Sequence, residues 1–528
     1  MTAGDERPRA EADIRTQVRG SVLLTGGRLF ATALNMGVQV LTVRALTQSG
    51  YAAFAYALVV AQIGELLSIT GMHRAIVILL PRHEAARDVR AAMATLAAAA
   101  VTVLALGVAF VLVVFSFRGL IAGSLADDPT ALVVLSLLAF LGPIKGAETL
   151  FDSTYAALGR PRAIVLRQYV LAPLLRLLAV ALVLIGPSSP VLLAWGYVVG
   201  GVLGLVIAGQ GLRRILSRHD LYRGAGLTLR GLPLKVTVLT VLPLFANNLV
   251  DLALDTLDVL MLAQLSTPEQ VALLRAIVPV AAANEFVVTG FTVLFTPMAA
   301  RLLAERRGGE MNQLYWQTAL WRAVLAFPVL MLCTVLASPV TLLLFGERYA
   351  DSAPMLTAIG AGVYLGALAG PNEAVLEVTG RFRQLLMVNI ATVALLVGLN
   401  LLLIPPLGGL GAAMATGAAV VFRGAATLVL VLHHGSIGLP RREFRQPYLA
   451  LLTAIVVAGV VVFLQPGLLV SIFVATALTF GVLLPARREL DVLHSFPALA
   501  KVPGLTLLLG RGGGRPTADD RPIDEEPT

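Results

Sequence analysis

From about Ser21 to about Pro485 the chain is a succession of long apolar runs separated by short polar breaks. A hydrocarbon core about 30 Å thick takes about 20 apolar residues per helix. On that scale the runs predict about fourteen helices, near 21–46, 51–80, 91–115, 131–158, 163–185, 191–212, 236–264, 270–299, 314–345, 354–379, 384–404, 409–433, 448–464 and 468–486. The last two are short and read either as two spans or as one re-entrant pair. The expected fold class is therefore an all-α polytopic membrane protein.

Composition agrees with the pattern. Hydrophobic residues make up 57% of the chain and charged residues 13%, against about 25% charged in a soluble domain; mean hydropathy is +0.85. The formal charge of +9 does not imply a nucleic-acid partner, because the basic residues sit at the ends of apolar runs and form no patch interleaved with aromatics. They do fix an orientation. With both termini in the cytoplasm, the cytoplasmic breaks hold twenty-five basic residues and the external breaks two, Arg118 and Arg348, which is the positive-inside asymmetry of a multi-pass protein of the inner or plasma membrane. The single cysteine, Cys333, lies in an apolar run and excludes disulfides and cysteine-rich metal sites. Met1 to Arg19 lacks the apolar core of a cleaved signal peptide, so the first helix is expected to stay.

Two parts of the chain resemble each other at offsets of 215 to 221 residues. Gly64-Glu65-Leu66-Leu67-Ser68-Ile69-Thr70-Gly71 matches Asn284-Glu285-Phe286-Val287-Val288-Thr289-Gly290 with one deletion; Leu29-Phe30-Ala31 matches Leu244-Phe245-Ala246; Gly159-Arg160-Pro161-Arg162 matches Gly380-Arg381-Phe382-Arg383. A repeat of six spans gives both halves the same direction, hence two six-helix lobes related by a pseudo-twofold along the membrane normal, with substrate between them. The expected organisation is a cytoplasmic segment 1–19, an N-terminal lobe 20–212, a cytoplasmic linker 213–235, a C-terminal lobe 236–433, two additional helices in 434–490, and an amphipathic stretch with a disordered tail in 491–528.

Gly50-Tyr51 through Gly71, Leu344-Phe345-Gly346-Glu347-Arg348-Tyr349, the Gly380 to Arg383 turn, and Asn400 to Pro405 followed by Gly408-Gly409-Leu410-Gly411-Ala412-Ala413 carry a resemblance. Over about residues 20–435 the chain resembles the polysaccharide-biosynthesis branch of the multidrug/oligosaccharidyl-lipid/polysaccharide exporter superfamily, which includes the O-antigen flippases. The resemblance implies a flippase that moves a polyprenyl-diphosphate-linked oligosaccharide by alternating access. It also implies as partners a lipid-linked glycan, membrane lipids, Na+ or H+ as coupling ion, and other polysaccharide-assembly membrane proteins. The loop pattern of the lipid II flippases is not found, which lowers peptidoglycan precursor as cargo. An ion-coupled multidrug exporter of the same superfamily is the alternative.

Ionisable groups inside a span face the interior or a wet cavity by default. Arg28 in the first span either binds a diphosphate through its planar fork or snorkels to cytoplasmic headgroups. Arg176 and Arg423 lie too deep to snorkel, and either bind cargo or pair with a carboxylate; Arg275 either contacts cargo or reaches external headgroups. Asn247, Asp251, Asp255 and Asp258 follow one another at four, four and three residues, which places them on one face of a helix. That stripe is the candidate for ion coupling, or else a polar face between the lobes. Glu65 and Glu285, like Asp152 and Glu373, occupy equivalent positions in the repeat, and a structural role for these acids is expected.

No catalytic, cofactor or metal site is read. There is no P-loop among the three lysines Lys145, Lys235 and Lys501, and His83-Glu84-Ala85-Ala86-Arg87 has arginine where a zinc-protease helix needs its second histidine. No external break exceeds about fifteen residues, too short for a membrane-bound glycosyltransferase or polymerase. The orientation is open to a direct test. In a Cys333→Ser background, a membrane-impermeant maleimide is expected to label Asp127→Cys on intact cells and Gly224→Cys only after permeabilisation; the reverse pattern contradicts the topology.

Overall fold

The computed structural model describes residues 26–218 and 234–490, apart from positions 29, 70, 126, 436, 441 and 465. They form helices and turns, with no strand among the described residues. The order is α1 (30–45), α2 (Gln48–Ile69), α3 (Met72–Ala85), α4 (Val89–Ala122), α5 (Pro129–Ala139), α6 (Leu141–Ala157), α7 (Pro161–Ile164), a π-helical segment (Val165–Leu171), α8 (Ala172–Ile185) and α9 (Pro190–Arg218). Then come α10 (Leu234–Leu265), α11 (Pro268–Ala304), α12 (Gly308–Cys333), α13 (Ala337–Phe345), α14 (Ala353–Leu368), α15 (Asn372–Val378), α16 (Phe382–Leu407), α17 (Gly409–His433), α18 (Arg442–Leu464) and α19 (Leu468–Leu490).

Among the described residues eleven helical segments are long and apolar enough to cross a membrane, or twelve if Glu347–Leu368 and Asn372–Val378, bent by 44°, form one span. Two of the fourteen expected stretches, 21–46 and 236–264, are helical over 30–45 and Leu234–Leu265 and stand outside that tally. Both Phe444–Leu464 and Leu468–Ala486 qualify as separate spans. The helices fall into two compact units. Of the described residues, one takes in those up to Ala282 with Ser338–Gly362 and Leu386–Val420; the other takes in Ala283–Ala337, Val363–Leu385 and those from Val421 onward. These limits differ from the lobes drawn at 20–212 and 236–433. In the first unit α2 packs on α4, α5 and α6, and α9 on α6 and α8. In the second, α18 and α19 pair and lie on α12.

Local chemistry explains where helices start and stop. Asp88 Oδ1 accepts the N–H of Ala91 at 3.0 Å, and Asp128 Oδ1 accepts that of Thr130 at 2.8 Å with Pro129 leading the helix, so each side chain satisfies a donor that the first turn leaves free. The two Gly-Arg motifs of the repeat end their helices in the same way. Gly159 (φ 64°) and Gly380 (φ 73°) are left-handed. The N–H of Arg160 bonds Tyr155 C=O at 2.9 Å and that of Arg381 bonds Leu376 C=O at 2.7 Å, the Schellman closure that glycine accommodates without steric cost.

Close helix crossings set where the buried charges fall. A Cβ on Gly142 of α6 would lie 2.9 Å from Gly64 Cα of α2, a backbone approach that only small residues allow in a membrane bundle. It sets Glu65 of α2 close to Thr149 of α6, with a side-chain bond of 3.2 Å. In the second unit, a Cβ on Gly424 would come within 2.6 Å of Gly366 O, beside Arg423. The π-helical segment precedes Pro173, whose missing N–H breaks the normal ladder; the N–H of Ala172 reaches back five residues to Arg167 C=O.

Substituting Gly142→Val forces α2 and α6 apart and is expected to cost about 1–3 kcal/mol, read as a lowered thermal midpoint of the detergent-purified protein. Gly398→Ala, which meets no atom within 4 Å, serves as the control and is expected to leave the midpoint level or slightly raised. Equal midpoints for the two variants would contradict the crossing as described.

Candidate functional site

The densest group of buried charges lies in the first unit. Lys145, Glu148 and Asp152 follow at three and four residues along α6 and share a face. Arg167, brought in by the π-helical segment, is buried. Its Nε donates to Asp152 Oδ1 at 2.6 Å and its Nη2 to Asp152 Oδ2, while Nη1 lies 3.6 Å from Glu148 Oε1. That side-on fork satisfies the guanidinium and one carboxylate together. Glu65 accepts the Thr149 hydroxyl at 3.2 Å.

Two cations in the same group are not neutralised. Lys145 makes no ion pair or hydrogen bond with any described residue, and the charge acting on it most strongly is another cation, Arg176, ahead of Glu65 and Glu148. Among the described residues Arg176 of α8 has one hydrogen bond, from Nη1 to Asn35 Oδ1 at 3.3 Å. Lys145, Glu148, Arg167, Arg176 and Tyr197 line one small cleft of about 30 Å³. Arg167 is already paired with Asp152, so the cleft wall sets Lys145 and Arg176 against one carboxylate, Glu148.

A second polar cluster belongs to the same unit. Gln39 donates to the C=O of Arg275 at 3.4 Å and to the hydroxyl of Tyr51. The guanidinium of Arg275 makes no ion pair with a described residue, and its charge acts on Tyr51 and Asp258. Arg28, Asn35 and Gln39, seven and four residues apart, share one side of the first helix by spacing. Arg28 is exposed.

Of the expected coupling stripe, the side chains of Asn247 and Asp251 lie outside the described residues, as does that of Glu285. Asp255 is exposed. Asp258 is buried, its Oδ1 accepting the N–H of Val259 at 2.7 Å and its Oδ2 lying 3.5 Å from the Thr416 hydroxyl. In the second unit Arg423 meets Glu373 with Nε 2.9 Å from Oε1 and Nη2 3.0 Å from Oε2. The acids expected to be structural are therefore engaged: Glu65 by a hydroxyl, Asp152 by Arg167 and Glu373 by Arg423.

Sequence reading passed over Lys145, Glu148, Arg167 and Arg322. The spacing that marked the stripe on α10 is present on α6 at Lys145, Glu148 and Asp152, and would have found the first two. Arg167 stands near the start of its run and reads as a boundary charge; only the π-helical segment turns it inward. Arg322 of α12 is 6% exposed, and its Nε has no hydrogen-bond partner among the described residues; the charge of Glu373 acts on it.

The fold is shared with solved transporters. The lipid II flippase MurJ in an inward closed conformation matches with a TM-score of 0.65 and 12% identity, over 89% of this chain and 100% of that one. An inward-facing multidrug resistance MATE family transporter of the MOP superfamily matches at 0.64 and 14%, over 76% and 94%. A MOP superfamily transporter from Pyrococcus furiosus, for which reverse polarity of the binding pocket suggests a different function, matches at 0.52 and 15%, over 79% and 95%. Identities at this level establish the fold alone. No curated protein matches the sequence. The family model of the polysaccharide biosynthesis protein matches residues 17–303, more than half of the chain, and with a fold that is that of MOP superfamily transporters, the chain belongs to the polysaccharide biosynthesis protein family.

Proposed function

We propose that this membrane transporter moves a polyprenyl-diphosphate-linked oligosaccharide across the cell membrane by alternating access, with both termini in the cytoplasm. The observation that carries the reading is the pair Lys145 and Arg176, two cations side by side in one cleft with no carboxylate bound to either. Like charges held together in a low-dielectric interior repel. A diphosphate relieves that repulsion and offers oxygens to the planar fork of arginine and the point charge of lysine. Arg28 and Arg275 add two cations to the same unit without ion-pair partners among the described residues. The cleft is small in this conformation, so it must widen to admit cargo, as alternating access requires.

Two of the structural relatives support the reading by analogy. One is a lipid II flippase, and another has a binding pocket of reversed polarity. A multidrug exporter is the competing reading, and a cationic drug calls for free carboxylates. Asp152 and Glu373 are instead each bound to an arginine. Asp255 and Asp258 are the proposed place for Na+ or H+ coupling, since one carboxylate there is buried and the other accessible.

Transport of a lipid-linked oligosaccharide by the protein in liposomes tests both parts. Lys145→Ala and Arg176→Ala are each expected to lower transport about 30-fold or more, the scale of one lost partner in a buried charge contact, and Arg28→Ala, at an exposed position, to lower it less. Arg176→Lys is expected to recover part of it, and Arg118→Ala to leave it unchanged. Asp255→Asn is expected to weaken dependence on the ion gradient with insertion intact. Normal transport in Lys145→Ala and Arg176→Ala would overturn the cargo assignment, and unchanged ion dependence in Asp255→Asn would return that residue to structure.

A further inference from the structure

A second cavity of the first unit plays no part in the transport reading. It has a volume of about 950 Å³ and is walled by α3, α4, α6 and α9. Its lining is apolar, with Met93, Leu96, Ala100, Ala147 and Leu205 among the walls. The exceptions are Thr154, whose hydroxyl is already bonded to Leu150 C=O at 2.8 Å, and the pair Arg213 and Ser217 at one end of α9. The cavity is an open groove, with Leu104 on its wall 66% exposed, and water finds too few polar partners along it. In a bilayer such a groove takes an apolar occupant.

Length and charge narrow that occupant. From Leu205 to Ser217 the cavity follows α9 for twelve residues, about 18 Å at 1.5 Å per residue, the scale of one leaflet of a core about 30 Å thick. On the orientation predicted by the basic breaks, the end with Arg213 lies at the cytoplasmic headgroups, and the exposed Arg214 adjoins it. We propose that the cavity binds one acyl chain of an anionic phospholipid from the cytoplasmic leaflet, with the phosphate held at Arg213. On the proposed function the cargo's diphosphate takes the cleft lined by Lys145 and Arg176, so its prenyl chain fits less well here. Pro143, Ala147, Leu150 and Phe151 of α6 face the cavity, and Lys145 and Glu148 of the same helix face the cleft. A lipid in the cavity would brace the helix that carries those charges.

Native mass spectrometry of the full chain, released from micelles doped with phosphatidylglycerol or phosphatidylcholine, tests the assignment. One phosphatidylglycerol per chain is expected to survive the activation that strips other lipid, with about a fivefold preference over phosphatidylcholine, the scale of one basic residue at an anionic surface. Ala100→Trp fills the space and is expected to abolish retention of both lipids. Arg213→Glu, at an exposed position, is expected to keep the fold and lose the preference, so the outcome does not hang on the bulky variant. Undiminished preference in Arg213→Glu, or a retained lipid that proves to be an isoprenoid, would overturn the proposal.

Discussion

The cost of carrying charge into lipid governs this structure. An arginine, lysine or aspartate at the middle of a span costs about 2.5–3.5 kcal/mol on insertion scales, and the chain meets that cost in two ways. Some charges are matched inside one unit: Asp152 with Arg167, and Glu373 with Arg423. Breaking the Asp152–Arg167 pair would strand the buried Arg167, which is far more damaging than the pair is stabilising. Others, Lys145, Arg176 and Arg275 above all, are carried without such a match, and an interior that keeps unmatched cations has a use for them.

The packing that fixes these charges relies on small residues. Between helices in lipid there is no hydrophobic drive, and close backbone approach takes its place. Gly64 against Gly142 and Gly366 against Gly424 bring their helices together, each beside a charged side chain on the same helix. The irregular turn ahead of Pro173 does similar work for Arg167. Geometry near the cleft therefore depends on residues that carry no charge.

Much of this was legible before any coordinates. Apolar run length gave the class, and the Gly-Arg motifs gave two helix ends that prove to share one closure. The repeat also paired Glu65 with Glu285 and Asp152 with Glu373, and the three whose side chains are described, Glu65, Asp152 and Glu373, are each held by a neighbour. What escaped was whatever depends on direction around a helix or on irregular backbone. Arg167 is turned inward by a π-helical segment that no apolar pattern encodes. Lys145 was counted as one of three lysines, and its isolation appears only once the neighbouring helices are in place. The two compact units divide α11, α14, α16 and α17 between them, a grouping that no apolar pattern encodes.

On the proposed function, the unmatched cations exist for an anionic headgroup. Equilibrium binding of a short-chain prenyl diphosphate to the purified protein tests this. One diphosphate per chain is expected, displaced by inorganic diphosphate and weakened by salt as screening grows. Binding of a lipophilic cation such as tetraphenylphosphonium, with no binding of the prenyl diphosphate, would contradict it.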